Sequence, residues 1–185
     1  MSIRSARASP EDRSVRPASR QALHVLRPHG HLYVSLTPQY ENHSHTITAF
    51  INVPKEGASG VLLADGAESG GFSLFLKDGK PTYTYNYFER KTTTIASPDP
   101  LPPGPATIHL DFAYDGGGIG KGALATLYVN NRFVAKSRIE QTVPMAFSFE
   151  DTFDIGEDSA SPVGDYQSPF PFTGTIDHIN FDISN

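Results

Sequence analysis

The chain has 185 residues, a formal net charge of −5, 38% hydrophobic residues with 12 Phe and 8 Tyr, and no cysteine. That length suits one domain burying roughly two thirds of its unfolded surface, and the aromatic content excludes a globally disordered chain. The negative charge argues against nucleic acid or an anionic membrane as partner, and the lack of cysteine excludes a disulfide framework, a thiolate zinc site and a cysteine nucleophile.

Residues 1–20, MSIRSARASPEDRSVRPASR, carry five Arg among Ser, Ala and Pro and little that could be buried. This composition predicts a flexible arm ahead of a single domain over 21–185. Glu11, Asp12 and two prolines set the arm apart from a transit peptide. No secretory h-region and no apolar run near the roughly 18 residues of a membrane span are visible, so the expected location is the cytoplasm. His29 with His31, and His43 with His45, are i,i+2 pairs that share a face if extended. Two imidazoles and an acid can hold zinc, but spacing sets no third ligand, and exposed polar-face histidines are the preferred reading.

SHTITAFINV (44–53) alternates, with Ile47, Ala49, Ile51 and Val53 on one face and Thr46, Thr48 and Asn52 on the other. GFSLFLKDGKPTYTYNYF (71–88) reads as a hairpin about Asp78-Gly79, residues able to take the positive φ of a tight turn. Phe72, Leu74 and Leu76 share a face that suits core packing. Tyr83, Tyr85 and Tyr87 also share one, which could be a stacking platform for sugars or equally one side of the core.

ATIHLDFAYD (106–115) puts Ile108, Leu110 and Phe112 opposite His109 and Asp111. The glycine loop YDGGGIGKGA (114–123) is no P-loop, because Lys121 is followed by Gly122 and a strand rather than by Ser or Thr and a helix. Asp115 is read as starting a turn. ALATLYVNNRFVAKSRI (123–139) is a second hairpin, about Asn130-Asn131. The long loop EDTFDIGEDSASPVGDYQSPFPF (150–172) holds the acids Asp154, Glu157 and Asp158, candidate calcium ligands whose spacing is not that of an EF-hand. Solvated loop acids are the preferred reading. In FTGTIDHINFDI (172–183), Ile179, Phe181 and Ile183 face in, while His178, Asn180 and Asp182 face out. His109 and Asp111 could join His178 and Asp182 in acid–base work if their strands were neighbours, but a hydrated outer face is preferred.

About ten to twelve short strands without a crossover helix predict an all-β fold: an antiparallel two-sheet jelly-roll sandwich of concanavalin A-like or laminin-G type.

From residue 40 to the end the chain resembles the C-terminal domain of bacterial-type arylsulfatases. The matching stretches are SHTITAFINVP (44–54), GVLLADG (60–66), GGFSLFLKDGKPTYTYNYF (70–88), LPPGPATIHLDFAYDGGGIGKGALATLYVNN (101–131), TFDIGEDSASPV (152–163) and PFPFTGTI (169–176). PEDRSVRP (10–17) is similar to the segment joining that module to its catalytic domain. The resemblance implies a β-sandwich that packs against an alkaline-phosphatase-like α/β domain carrying the chemistry. The formylglycine motif C/S-x-P-x-R is absent, since neither SPEDR (9–13) nor SVRPASR (14–20) satisfies it, and no catalytic residue carries over. The pattern departs from the family at YNYFERKTTT (85–94), where a slightly longer turn is usual.

The expected role is therefore a non-catalytic module without sulfatase activity of its own. It would support a sulfatase-type catalytic domain or bind a small molecule or glycan through Tyr83, Tyr85, Tyr87, His109 and His178. No cofactor is expected beyond calcium as the candidate metal, and the oligomeric state is left open. The alternative is a small cofactor-free enzyme of cyclase or isomerase type using Tyr85, His109 and Asp111. Such a catalyst needs an enclosed apolar pocket with a polar group of displaced pKa at its base.

Overall fold

A computed structural model describes residues 39–145, 147, 153–159 and 161–184, and the backbone alone of 20–26 and 30–32. The strands are β1 (Arg20–Leu26), β2 (Gly30–Leu32), β3 (Ser44–Val53), β4 (Gly60–Ala67), β5 (Gly70–Lys77) and β6 (Lys80–Tyr87). They continue with β7 (Lys91–Ala96), β8 (Gly104–Tyr114), β9 (Ala123–Val129), β10 (Arg132–Ile139), β11 (Phe153–Ile155) and β12 (Thr175–Ser184). Two six-stranded antiparallel sheets result: sheet I in the order β1-β12-β3-β8-β9-β10 and sheet II in the order β2-β11-β4-β5-β6-β7. The expected arm falls outside the described residues except for Arg20, which opens β1. No helix among the described residues is long and apolar enough to cross a membrane.

Both expected hairpins form where the turn residues tolerate left-handed backbone. Asp78 and Gly79 (φ 52° and 74°) join β5 to β6, and Asn130 and Asn131 (φ 49° and 62°) join β9 to β10. Sheet I follows simple alternation. Ile47, Ala49 and Ile51 of β3, Ile108, Leu110 and Phe112 of β8, and Ile179, Phe181 and Ile183 of β12 are buried against sheet II. The face opposite them carries Thr48, His109 and Asn180, cross-strand neighbours in one row.

The central strands β4, β5 and β6 of sheet II are buried on both faces, which their alternation alone did not announce. Leu74, Leu76, Tyr83 and Tyr85 enter the main core. On the other side Val61, Ala64 and Phe75 form a second cluster with Tyr166 and Phe170 of the long loop. That loop is fastened along β4 by backbone bonds, from Val61 N–H to Phe170 O and from Gly156 N–H to Leu62 O, both 3.0 Å. Contact is close enough that a Cβ at Gly60 (φ 119°) would lie 2.2 Å from Pro171 O, so only glycine fits. Covering Phe75, 1% exposed, stabilises the fold by about 2 kcal/mol.

The acids of this loop are accordingly not all solvated. Asp154, in β11, and Asp158 are each 2% exposed, while Glu157 is half-buried. His45 corrects the exposed-histidine reading in the same way. It lies on the inward face of β3 with Ile47, 3% exposed, stacked between Phe112 and Phe181. His43 is half-buried, His31 is described only as backbone in β2, and His29 lies outside the described residues.

Candidate functional site

Of the tyrosine row, Tyr83 (1% exposed) and Tyr85 (4%) are core residues, so no exposed three-ring platform exists. Tyr85 accepts the Val143 N–H through its hydroxyl at 2.8 Å. The Tyr83 hydroxyl is buried without a hydrogen-bond partner among the described residues. Burial raises both phenols above their usual range. Tyr87, at the end of β6, is half-buried at the rim.

His109 sits on the outer face of sheet I, its Nδ1 2.8 Å from Thr48 Oγ1. Burial lowers its pKa, while Asp111 and Asp182 pull the other way. His178 lies on β12, separated from β8 by β3, and stacks on Phe50 with centroids 4.4 Å apart. Its Nδ1 is 2.8 Å from Asp177 Oδ2. The two histidines therefore do not converge. The trio Tyr85, His109 and Asp111 is also divided, because Tyr85 faces the core while the other two face outward across sheet I. Close to His45 the interior holds about 10 Å³ of space among Tyr40, Phe72, Tyr85, Phe112 and Phe147, room for about one water. His45 does have a displaced pKa, pushed down to about 4 by burial. At His45 the displaced group therefore borders a space far smaller than a substrate ring.

Two of the calcium candidates, Asp154 and Asp158, accept hydrogen bonds within the long loop. Ser159 N–H donates to Asp154 Oδ2 at 3.2 Å. Tyr166 O–H donates to Asp158 Oδ2 at 2.5 Å and lies 3.0 Å from Ser73 Oγ, while Ser168 O–H donates to Asp158 Oδ1 at 3.3 Å. Burial raises the Asp158 pKa against the pull of these donors. Among the described residues no three His, Asp or Glu side chains cluster as a metal site. Asp115 pairs with Arg138 through both carboxylate oxygens.

Two grooves have the shape and chemistry to receive a ligand. The first, about 350 Å³, lies on the outside of sheet I and is lined by Phe50, Asn52, Thr107, Asn130, Thr175 and Asp177. Asn130 Oδ1 accepts the Thr107 N–H at 2.8 Å, which orients its amide NH2 as a remaining donor. The second, about 230 Å³, opens where edge strands β7 and β10 of the two sheets meet. Tyr87, Arg90, Lys91, Thr93, Glu140 and Gln141 line it. Of the residues singled out in the sequence, Tyr85 and Tyr87 line the second groove and His178 lines neither, while Phe50, Asn130, Arg90 and Lys91 were not among the binding candidates. Phe50 carried a signal: it is an aromatic on the outward phase of β3.

No protein-family model and no curated protein sequence matches the chain. Among solved structures it is similar to the CBM40 of Ruminococcus gnavus IT-sialidase bound to alpha2,3 sialyllactose. The TM-score is 0.54 at 13% identity, over 88% of this chain and 89% of that one. It is also similar to domains LG4-5 of the mouse laminin alpha1 chain, with TM-score 0.53 at 14% identity, over 97% of this chain and 46% of that one. At such identities the likeness is one of fold, and by architecture and neighbours alike the chain is an all-β jelly-roll sandwich.

Proposed function

We propose that the chain is a non-catalytic binding module whose ligand is a glycan, held in the outer groove of sheet I. The observation that carries this reading is the lining of that groove. Phe50, backed by His178, offers an aromatic surface, and Asn52, Asn130, Thr107, Thr175 and Asp177 surround it with donors and acceptors. A sugar ring has apolar C–H faces and a rim of hydroxyls, and it needs that combination of ring contact and planar polar groups. The fold neighbour bound to sialyllactose supports the reading by analogy of architecture only. Heteronuclear NMR titration with a panel of neutral mono- and oligosaccharides tests it. The expected result is saturable shifts centred on Phe50, Asn52, Asn130 and His178, lost in Phe50→Ala and weakened in Asp177→Asn. A panel that moves no resonance of this groove overturns it.

A second reading, support of a sulfatase-type catalytic domain, follows from the sequence resemblance and is favoured by one surface feature. Ile119 and Met145 are 69% and 72% exposed. Their loops are tied together, with Asn42 accepting Gly120 N–H at 2.7 Å and donating to Pro144 O at 2.8 Å. Two large apolar side chains held out on joined loops suit a protein contact. Co-purification with a sulfatase-type α/β domain, abolished by Ile119→Asp with Met145→Asp, is the expected outcome. Failure of the unsubstituted pair to associate refutes it.

A further inference from the structure

The groove between β7 and β10 differs from the outer groove in its charge. Arg90 and Lys91, consecutive and exposed, both line it. Neither has an ion-pair partner among the described residues, although Lys77 reaches Asp165 and Arg138 reaches Asp115. Glu140 shares the groove, 4.0 Å from an Arg138 that is already paired with Asp115, and so offsets part of the charge of Arg90 and Lys91. In a chain of net charge −5, two cations against one anion leave this concavity with a net positive charge, and low-dielectric walls concentrate such a field.

The backbone that presents them is held in an uncommon conformation. Phe88 and Glu89 form the β6–β7 turn with φ of 49° and 56°, a region that bulky residues enter at a cost. The turn is closed by Arg90 N–H to Tyr87 O at 3.0 Å. It is braced by buried Asn86, whose Oδ1 accepts Glu89 N–H at 2.9 Å while its Nδ2 donates to Glu68 O at 2.7 Å. Tyr87 and the cations that follow it are thereby delivered to one side of the opening. Strain kept in place by a dedicated brace is a feature of ligand sites.

We propose that this edge groove is a second binding site, specific for a single saccharide ring that carries an anionic substituent, a carboxylate or a sulfate ester. Arg90 and Lys91 take the charge, Arg90 through its planar fork of donors and Lys91 as a point charge. The Tyr87 ring receives the sugar face, and Thr93 and Gln141 meet the hydroxyls. A volume of about 230 Å³ matches one ring rather than an extended chain. The site shares no lining residue with the outer groove, so either can fail without the other.

The test is calorimetric and NMR titration of the full chain with glucuronate, glucose 6-sulfate, glucose and inorganic sulfate, at low and high salt. Binding of at least one anionic sugar at least tenfold tighter than glucose and than inorganic sulfate, weakening with salt and shifting Tyr87 and Thr93, is the expected result. Which anionic sugar binds tighter tells carboxylate from sulfate ester. Arg90→Gln with Lys91→Gln keeps polar side chains and should abolish that preference, with the shifts at Tyr87 and Thr93 lost alongside it. Equal binding of glucose and both anionic sugars, equal binding of inorganic sulfate, or unchanged affinity in the Gln pair would each overturn the proposal. A melting curve matching the parent shows that the Gln pair is folded.

Discussion

The His45 imidazole lies parallel to the Phe112 ring, with centroids 4.5 Å apart and planes 13° apart, at the centre of the sandwich. Phe181 stacks on it at 5.2 Å, the His45 Nδ1 is 3.2 Å from the His43 carbonyl, and the His45 Nε2 is buried without a partner among the described residues. A charged imidazole is excluded there, which is why its pKa falls to about 4.

Folding stability should therefore fall with acidification. Below the ordinary histidine pKa of about 6.5 the unfolded chain takes up a proton that the folded chain refuses until about pH 4. The loss grows through that window to about 3 kcal/mol and then levels off. Glu41 and Asp158, raised by burial, titrate in the opposite sense. The measurement is thus the difference between the parent and His45→Phe in urea unfolding at pH 7 and pH 4. An acid-induced loss of equal size in both proteins would contradict the assignment.

Tyr83→Phe should stabilise the protein. The Tyr83 hydroxyl is buried with no partner among the described residues, and an unsatisfied buried hydroxyl costs about 1–3 kcal/mol. Calorimetry should show Tm raised by about 2–4 °C. A lower Tm would mean that the hydroxyl is satisfied.

The fastening of the long loop depends on Tyr166, whose hydroxyl bonds Asp158 and whose ring meets Phe75 at 4.9 Å. Tyr166→Phe keeps the ring and should cost about 1–2 kcal/mol. Losing that donor raises the Asp158 pKa further above its unfolded value. A raised carboxylate contributes stability only while protonated, so the variant's deficit should grow as pH rises from acid toward neutral. Chemical denaturation across pH, with proteolysis of residues 161–174 as a local probe, checks both points. A deficit independent of pH would dissociate Asp158 from Tyr166.

The β6–β7 turn should be improvable in isolation. Phe88→Asn with Glu89→Gly places residues suited to positive φ at both central positions and should add about 1 kcal/mol. Asn86→Ala, which removes the brace, should cost about 1–2 kcal/mol. Both are read from thermal melting, and a neutral result for Asn86→Ala would deny the brace its role.

The alternation of residues 44–53, 106–115 and 172–183 set the inward and outward faces of sheet I, and Asp78-Gly79 and Asn130-Asn131 set one hairpin in each sheet, because each signal is complete within a few neighbouring residues. Even His45 was legible in that pattern: it keeps the phase of Ile47 and Ala49, and its polar character masked the rule. The insertion of β12 between β1 and β3 left no such trace, since that pairing joins segments far apart along the chain. Nor did the cover over sheet II, where Tyr166 meets Ser73 across 93 positions. Periodicity reports which way a side chain points, whereas burial depends on what distant backbone comes to lie above it. For the same reason the burial of Tyr83 and Tyr85 and the placing of Arg90 and Lys91 in a groove at a sheet edge were decided only once both sheets were in place.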